Sequence, residues 1–287
     1  MFTTLAPGAI GIKGLTLPES IDLAARSGFQ GVTFDTREVA TLADAHGIDH
    51  VKKLFADAEV LPAYWNLPVA WNNDEKRDAD LKVLPRLTAL ALELGNDRAT
   101  SGIMPGTNDR PFDEQYAWTK ERLLPVAEAL KESGARLGIE FIAPKTLRNR
   151  FKFEFIYSLN GMMDLARDLG TGNVGVLLDL WHNYTSYGTN ADILALNERD
   201  IVAVHVNDAP PGIDVDEQED LVRALPLETG VLDIKGFMDA LKTLGYDGPV
   251  MPEPFSQRIN DLAETDPLTA ATETAASMKK LWVLAGL

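Results

Sequence analysis

The chain has 287 residues, of which 45% are apolar, no cysteine and a formal net charge of −16. That length suits one large α/β barrel, which typically needs about 250 residues, or two ordinary domains, and the apolar content argues against global disorder. The negative charge disfavours nucleic acid as a partner because a phosphate backbone would be repelled. The missing cysteines exclude disulfides, thiolate metal sites and cysteine nucleophiles.

Short apolar runs alternate with amphipathic stretches from one end of the chain to the other. The apolar runs predict strands at 5–12, 31–36, 60–67, 98–104, 136–143, 174–180, 201–206 and 249–253. The amphipathic stretches predict helices at 18–27, across 50–55, at 74–95, 112–134, 158–169, 190–198 and 233–244, and from about 267. Several of these helices run into a glycine, which is a common helix stop.

The count is eight strand-then-helix units with no change of composition between them. Continuous apolar strands are typical of parallel sheets that are buried on both faces. We therefore predict a single α/β domain over residues 1–287, folded as a (β/α)₈ TIM barrel. An open doubly wound sheet is the competing architecture, since periodicity does not establish closure. The longest non-periodic stretch, 207–230, follows the seventh strand, and loops of this length are usually functional or mobile.

The first residues of the chain and the length of its apolar runs indicate where the protein is located. Residues 1–13 lack a basic segment followed by an apolar one, which a secretory signal would show. No apolar run approaches the ~18 residues that a membrane span requires. We therefore expect a cytoplasmic protein without a membrane partner.

Ionisable side chains occur at or near the carboxyl ends of four consecutive predicted strands. They are Glu140 in GIEFIAP, Asp179 in VLLDLWH, His205 in VAVHVND and Glu253 in VMPEPF. In a (β/α)₈ barrel these strand ends meet at the mouth where chemistry takes place. Taken singly, each acid is more often a helix cap or a solvated turn residue, and the histidine a satisfied core residue. Together they predict one site.

A divalent metal ion explains why these four groups would be buried together. Carboxylates in apolar surroundings are costly unless they are paired or bound to a metal. Three carboxylates and one imidazole suit a hard or borderline ion, and we expect one Mn²⁺, with Mg²⁺, Co²⁺ and Zn²⁺ as alternatives.

The segments GIEFIAP, LLDLWH, VHVNDA and PEPF resemble the xylose-isomerase-like barrel superfamily of sugar isomerases and epimerases, over nearly the whole chain. The nearer branch is similar to ketose 3-epimerases, hydroxypyruvate isomerases and inosose-processing enzymes. The resemblance implies that Glu140, Asp179, His205 and Glu253 are the metal ligands. It also implies that Glu140 and Glu253 are the catalytic acid/base pair, and that the partner is a small sugar or polyol. A homo-oligomer is implied by the same analogy.

The chemistry that suits such a site is proton abstraction next to a carbonyl through a metal-stabilised enediolate, giving isomerisation or epimerisation. A lyase on the same site is the runner-up, either an inosose-type dehydratase or an enzyme that cleaves a 3-keto-glycoside. An endonuclease IV-like repair enzyme would need further histidine ligands, and the chain has four histidines in all. His46 and His50 are interpreted as surface residues. A non-catalytic binding barrel is the last alternative.

Further residues are candidates for binding substrate. His182 matches the family's histidine that contacts substrate oxygens, and its alternative is a hydrogen-bonded loop histidine. Asp208 would support a ligand, hold a second ion or cap the loop. Lys145 and Arg148 would anchor an anionic or hydroxyl-rich substrate unless they belong to a solvated basic loop. Arg223 would approach from the long loop.

Aromatic residues also end two predicted strands. Trp65 and Asn66 end strand three, and Trp181 ends strand six. Such aromatics pack on a sugar face, close a pocket or fill the core. Pro211 stands where the ketose 3-epimerases carry an arginine, so sugar recognition on that loop must differ.

Overall fold

Eight parallel strands close into a barrel in the computed structural model, which describes residues 1–287. The strands are β1 (Phe2–Leu5), β2 (Gly31–Phe34), β3 (Leu61–Asn66), β4 (Arg98–Ile103), β5 (Arg136–Phe141), β6 (Val174–Asp179), β7 (Ile201–Val206) and β8 (Pro249–Pro252). Each strand pairs with its neighbours in chain order, and β1 pairs with β8 through Phe2 opposite Pro249 and Thr3 opposite Val250. This closure confirms the predicted (β/α)₈ barrel and rules out the open sheet.

Helices surround the barrel. They are α1 (Leu17–Ser27), α2 (Thr36–His46), α3 (Ile48–Asp57), α4 (Arg77–Glu93), α5 (Phe112–Ser133), α6 (Lys145–Arg148), α7 (Leu159–Asp168), α8 (Leu180–Thr185), α9 (Asn190–Leu194), α10 (Ile234–Leu244), α11 (Gln257–Thr265) and α12 (Pro267–Ala285). Gly106–Thr107 and Phe153–Glu154 form a small antiparallel pair beside the mouth. None of the helices is both long and apolar enough to cross a membrane.

Local signals in the sequence account for the helix bounds. Thr16 caps α1 in a reciprocal capping box with Glu19, and the helix ends at Gly28, whose φ of +91° favours glycine. Asp179 itself caps α8, because its carboxylate accepts the Trp181 N–H at 2.8 Å. A strand therefore passes into a helix at the residue where the site begins.

The alternation of side chains along the strands divides the interior in two. One large cluster, which includes Trp65, fills the space between the strands and the helices. A second, small cluster lies inside the barrel and contains Tyr64, Leu177, Ala203 and Met251. Since side chains on one face of a strand recur every second residue, the positions two residues beyond Leu177, Ala203 and Met251 also face the barrel axis. Those positions are Asp179, His205 and Glu253.

The prediction of a strand at 5–12 is wrong in its bounds. The strand is Phe2–Leu5, and Pro7–Ile10 forms a 3₁₀ turn that ends at Gly11 with a φ of +81°. Pro7 cannot donate a backbone hydrogen bond, and it suits the start of a turn better than the middle of a buried strand. The sequence pattern also does not predict helices α2, α6, α8 and α11, of which α6 and α8 are only four and six residues long.

Candidate metal centre

Four side chains from neighbouring strands meet at the carboxyl-terminal mouth of the barrel. Glu140 lies on β5, Asp179 ends β6, His205 lies on β7, and Glu253 directly follows β8. Each offers one possible ligand atom, and these atoms all lie within 4.8 Å of one another. His205 Nδ1 is 3.5 Å from Glu140 Oε1 and 3.5 Å from Glu253 Oε2. The convergence predicted from the strand ends is therefore present as a possible metal-binding cluster.

Two atoms of this cluster are buried without a hydrogen-bond partner. They are Glu140 Oε1 and His205 Nδ1, which face each other across the centre. A buried polar atom without a partner is costly, and a shared cation would satisfy both at once. Carboxylate oxygens and an imidazole nitrogen are a suitable donor set for a divalent ion. The residues present therefore fit a metal.

The orientation of His205 is set by Tyr64. The Tyr64 hydroxyl lies 2.8 Å from His205 Nε2, and both side chains are buried. The outer nitrogen of the ring is thereby occupied, which leaves Nδ1 directed at the carboxylates. A hydrogen bond to the far nitrogen of a histidine ligand fixes its tautomer and its ring orientation. Burial, followed by the Glu253 carboxylate, holds the pKa of the Tyr64 hydroxyl well above its usual range, so this residue stays neutral.

Arg223 supplies the positive charge of the cluster. Its Nη1 donates to Asp179 Oδ2 and to Glu253 Oε2, both at 2.8 Å, although the residue belongs to the long loop after β7. Its Nη2 lies 3.1 Å from Asp220 Oδ1. The guanidinium sits 5.2 Å from the Trp181 ring centre and 4.9 Å from that of Phe255. Arg223 is thus held by three carboxylates and two aromatic rings.

The surroundings shift the pKa values of the cluster residues in opposite directions. Burial raises the pKa of the Glu140 carboxyl, and the attraction of His205 does not offset this. Burial alone would also raise the pKa of Asp179, but Arg223 and then His182 outweigh it and hold that pKa well below its usual range. Burial likewise opposes the charged form of His205, yet the nearby carboxylates, Glu253 first, raise its pKa to about 9. The metal-free cluster therefore retains protons near neutral pH.

A cavity of about 380 Å³ opens directly onto the cluster. Glu140, His205 and Glu253 form part of its wall. Its uncharged polar wall comes from the strands across the barrel and consists of Thr33, Tyr64, Asn66, Thr100 and Ser101. The cavity is kept open by small residues, namely Ala6, Gly8, Ala9 and Gly102. Its remaining wall is apolar and consists of Leu177, Met251 and Phe255. This volume is at the small end of ligand pockets.

His182 is brought to the cluster but not to the cavity wall. Its side chain is buried, its Nδ1 accepts the Ala143 N–H at 3.3 Å, and its Nε2 lies 3.4 Å from Arg223 Nη2. Burial lowers its pKa to about 4, so the ring is neutral. In this position His182 contacts Arg223 and the backbone after β5, and its contact with substrate stays a prediction.

The other predicted binding residues lie away from the cavity. Lys145 is exposed and pairs with Asp216 at 2.5 Å, while Arg148 pairs with Glu154 and stacks on Tyr157. Both cations are therefore already bound within the protein.

Asp208 and Trp65 contact other parts of the protein and do not line the cavity. The Asp208 carboxylate accepts backbone N–H groups at 2.7–3.1 Å from Ala209 and from each residue of 229–232. It thereby pins the two ends of the long loop together. Trp65 is fully buried in the outer cluster between strands and helices. Of the two aromatic residues in β3, Tyr64 is the one that reaches the site. The period of two along a strand puts Tyr64 and Trp65 on opposite faces, but it does not determine which of them faces the barrel axis.

Several known proteins are similar to this chain in sequence or in fold. A 3-dehydroshikimate dehydratase from Pseudomonas aeruginosa is 28% identical over 84% of this chain. The alignment spans only 36% of the dehydratase, so the chain corresponds to about a third of that protein. An inosose isomerase from Bacillus velezensis is 21% identical over 94% of both chains. A xylose isomerase domain protein from Alicyclobacillus acidocaldarius superposes with a TM-score of 0.87, at 26% identity and over the whole of both chains.

A family profile assigns the chain to a family. The profile described as xylose isomerase-like TIM barrel matches residues 21–281. That range includes all four residues of the cluster and seven of the eight barrel strands. The chain belongs to the xylose isomerase-like TIM barrel family.

Proposed function

We propose that this protein is a divalent-metal-dependent isomerase or epimerase of a small sugar or polyol, with Glu140, Asp179, His205 and Glu253 as ligands of one ion. The observation that carries the proposal is the pair of carboxylates, Glu140 and Glu253, that lie 3.5 Å from the same ring nitrogen and line the same cavity. A divalent ion bound here would polarise a substrate carbonyl and stabilise negative charge on its oxygens. Mn²⁺ is the first candidate, and Mg²⁺, Co²⁺ and Zn²⁺ are the alternatives.

The two glutamates differ in their surroundings, and this difference suggests their roles. Glu253 is hydrogen-bonded to Arg223, whereas Glu140 Oε1 has no partner. Glu140 is the freer proton acceptor, so we assign it the removal of the proton from the carbon next to the carbonyl. Glu253 has to be protonated for the second step, in which it gives its proton to the resulting enediolate. Because Asp179 is held by Arg223, Asn207 and the Trp181 N–H, it serves as a ligand alone.

A lyase on the same site is the second candidate. The same proton removal, followed by loss of a β-hydroxyl, gives a dehydration. The relatives that act as 3-dehydroshikimate dehydratases favour this reaction, and the inosose isomerase, which aligns over 94% of both chains, favours isomerisation. The two reactions differ in product: elimination yields a species lighter by one water, and isomerisation yields one of unchanged mass.

The test is a solvent exchange experiment in D₂O. The protein is stripped of metal with a chelator, reloaded with Mn²⁺ or Co²⁺, and incubated with a panel of ketoses, keto-inositols and 3-dehydroshikimate. We expect deuterium in the substrate only after reloading, and loss of that exchange in Glu140→Gln and in Glu253→Gln. Glu128→Gln, an exposed position on α5, is the matched control and should exchange like the parent. Absence of deuterium from every compound under turnover conditions would refute the proposed function.

A further inference from the structure

The charges around the cavity have a consequence for the substrate. The cavity wall contains two carboxylates, one imidazole and no lysine or arginine. Recognition of a phosphate or carboxylate group ordinarily uses such cations, or the N–H groups at a helix amino terminus. The wall that faces the cluster instead offers hydroxyl and amide groups, among them Thr33, Asn66 and Ser101. These groups are suited to substrate hydroxyls.

The one cation beside the cluster is not free to bind an anion. Arg223 already bonds to Asp179, Glu253 and Asp220, and aromatic rings cover it on two sides. Its side chain is 1% exposed. An anionic substrate group would have to displace one of these carboxylates, and displacing Asp179 would leave that fully buried group without its counter-charge.

The sum of the charges at the site also disfavours an anionic substrate. With Glu253 protonated, as the proposed proton return requires, the ligand carboxylates carry two negative charges, and Arg223 together with a divalent ion supplies three positive ones. Asp220, 3.1 Å from Arg223, adds a further negative charge. With His205 neutral as a ligand, the loaded site has no positive surplus to attract an anion. The negative charge of −16 on the whole chain acts in the same direction.

The neighbouring groove does not change this balance. It shares Gly8, Thr33 and Asn66 with the cavity and contains one cation, Arg37. Arg37 Nη2 donates to Asp80 Oδ1 at 2.6 Å and to the Pro68 carbonyl at 2.8 Å. The groove also carries two carboxylates, those of Asp35 and Glu38. A substrate that extends into this groove would meet negative charge as well.

We propose that the substrate is an uncharged keto-polyol, and that phosphorylated and carboxylated compounds are discriminated against. This inference rests on the proposed function, since it concerns the same cavity. It separates this chain from the 3-dehydroshikimate dehydratase to which it is similar, whose named substrate has a carboxylate, and it favours a neutral sugar or cyclitol.

The test compares binding with exchange in the Mn²⁺-loaded protein. Binding of 2-keto-myo-inositol, D-fructose and D-fructose 6-phosphate is measured by calorimetry, and deuterium exchange is followed separately. We expect at least one uncharged compound to bind more than about tenfold tighter than the phosphate ester. Equal or tighter binding of D-fructose 6-phosphate, or binding of none of the three, would overturn the inference. Exchange decides the proposed function independently, because a compound that binds without exchanging contradicts the reaction alone.

A pair of variants tests the cause. Asn66→Lys places a cation on the cavity wall, and Asn66→Met is the uncharged control of similar length. We expect the lysine variant, relative to the methionine variant, to shift the preference toward D-fructose 6-phosphate by about tenfold, in line with the attraction between charges a few ångströms apart near a protein surface. An unchanged preference would show that the charge of the wall does not set the discrimination.

Discussion

The hydrogen bond between Tyr64 and His205 gives a sharp prediction. Tyr64→Phe removes one hydroxyl and keeps the ring that fills the barrel interior. Its loss leaves His205 Nε2 buried without a partner and frees the imidazole to turn away from the carboxylates. A buried group left without its partner costs about 1–3 kcal/mol, and outer partners of histidine ligands are worth about 10–100-fold in metal affinity. We therefore expect Mn²⁺ to bind about 10–100-fold more weakly.

The chain offers a matched control for this change. Tyr246 is equally buried, and its hydroxyl also makes one hydrogen bond of 2.8 Å, to the Pro249 carbonyl at the start of β8 and away from the cluster. Tyr246→Phe should lower the unfolding free energy by about 1 kcal/mol and leave metal affinity unchanged. Affinity is measured by titration with Mn²⁺ against a competing chelator. Tyr64→Phe binding within twofold of the parent, or an equal loss in Tyr246→Phe, would refute the role assigned to Tyr64.

Three further predictions concern the groups around the cluster. Arg223→Met should lower the unfolding free energy of the metal-free protein by about 3–5 kcal/mol in chemical denaturation, because Asp179 and Glu253 lose a buried counter-charge. Mn²⁺ should restore part of that loss. A metal-free variant as stable as the parent would contradict this prediction. The pKa of Glu140 is raised from 4.5 to about 8 and that of His205 from 6.5 to about 9 in the metal-free protein. Stability should therefore fall as pH rises, from about 4.5 to 8 for the Glu140 contribution and from about 6.5 to 9 for the His205 contribution, and Mn²⁺ affinity should increase over these windows with release of protons. Calorimetry in buffers of different ionisation enthalpy measures that release, and its absence at pH 7 would count against the shifted values. Asp208→Asn should weaken the backbone hydrogen bonds that hold the long loop. Proteolysis at 209–222 should then increase, and the unfolding free energy should fall by about 1.5–3 kcal/mol. Unchanged proteolysis would show that the loop is held by other contacts.

Much of the fold and the cluster follows from local sequence signals. Alternating apolar and amphipathic stretches predicted the barrel, and the position of ionisable groups at strand ends predicted that Glu140, Asp179, His205 and Glu253 would meet. Both inferences depend on a regular geometry that parallel barrels share. The bounds of β1 were wrong because Pro7 and Gly11 turn an apolar run that was assigned to a strand.

Other features depend on packing that the sequence does not display. Tyr64 and Trp65 are adjacent, and only the phase of β3 decides which of them faces the barrel axis; the aromatic residue predicted to meet substrate lies in the outer core. The position of Arg223 between the carboxylates of Asp179 and Glu253 is set by the path of a long irregular loop. Long-range contacts of this kind have no periodic signature.

The central claim is that these four residues hold one divalent ion. Its most direct test is a crystal structure of the protein reloaded with Mn²⁺, with data collected at the manganese absorption edge. We predict one anomalous peak per chain, about 2.0–2.3 Å from oxygens of Glu140, Asp179 and Glu253 and from His205 Nδ1. No peak at this position, or a peak bound by other residues, would contradict it.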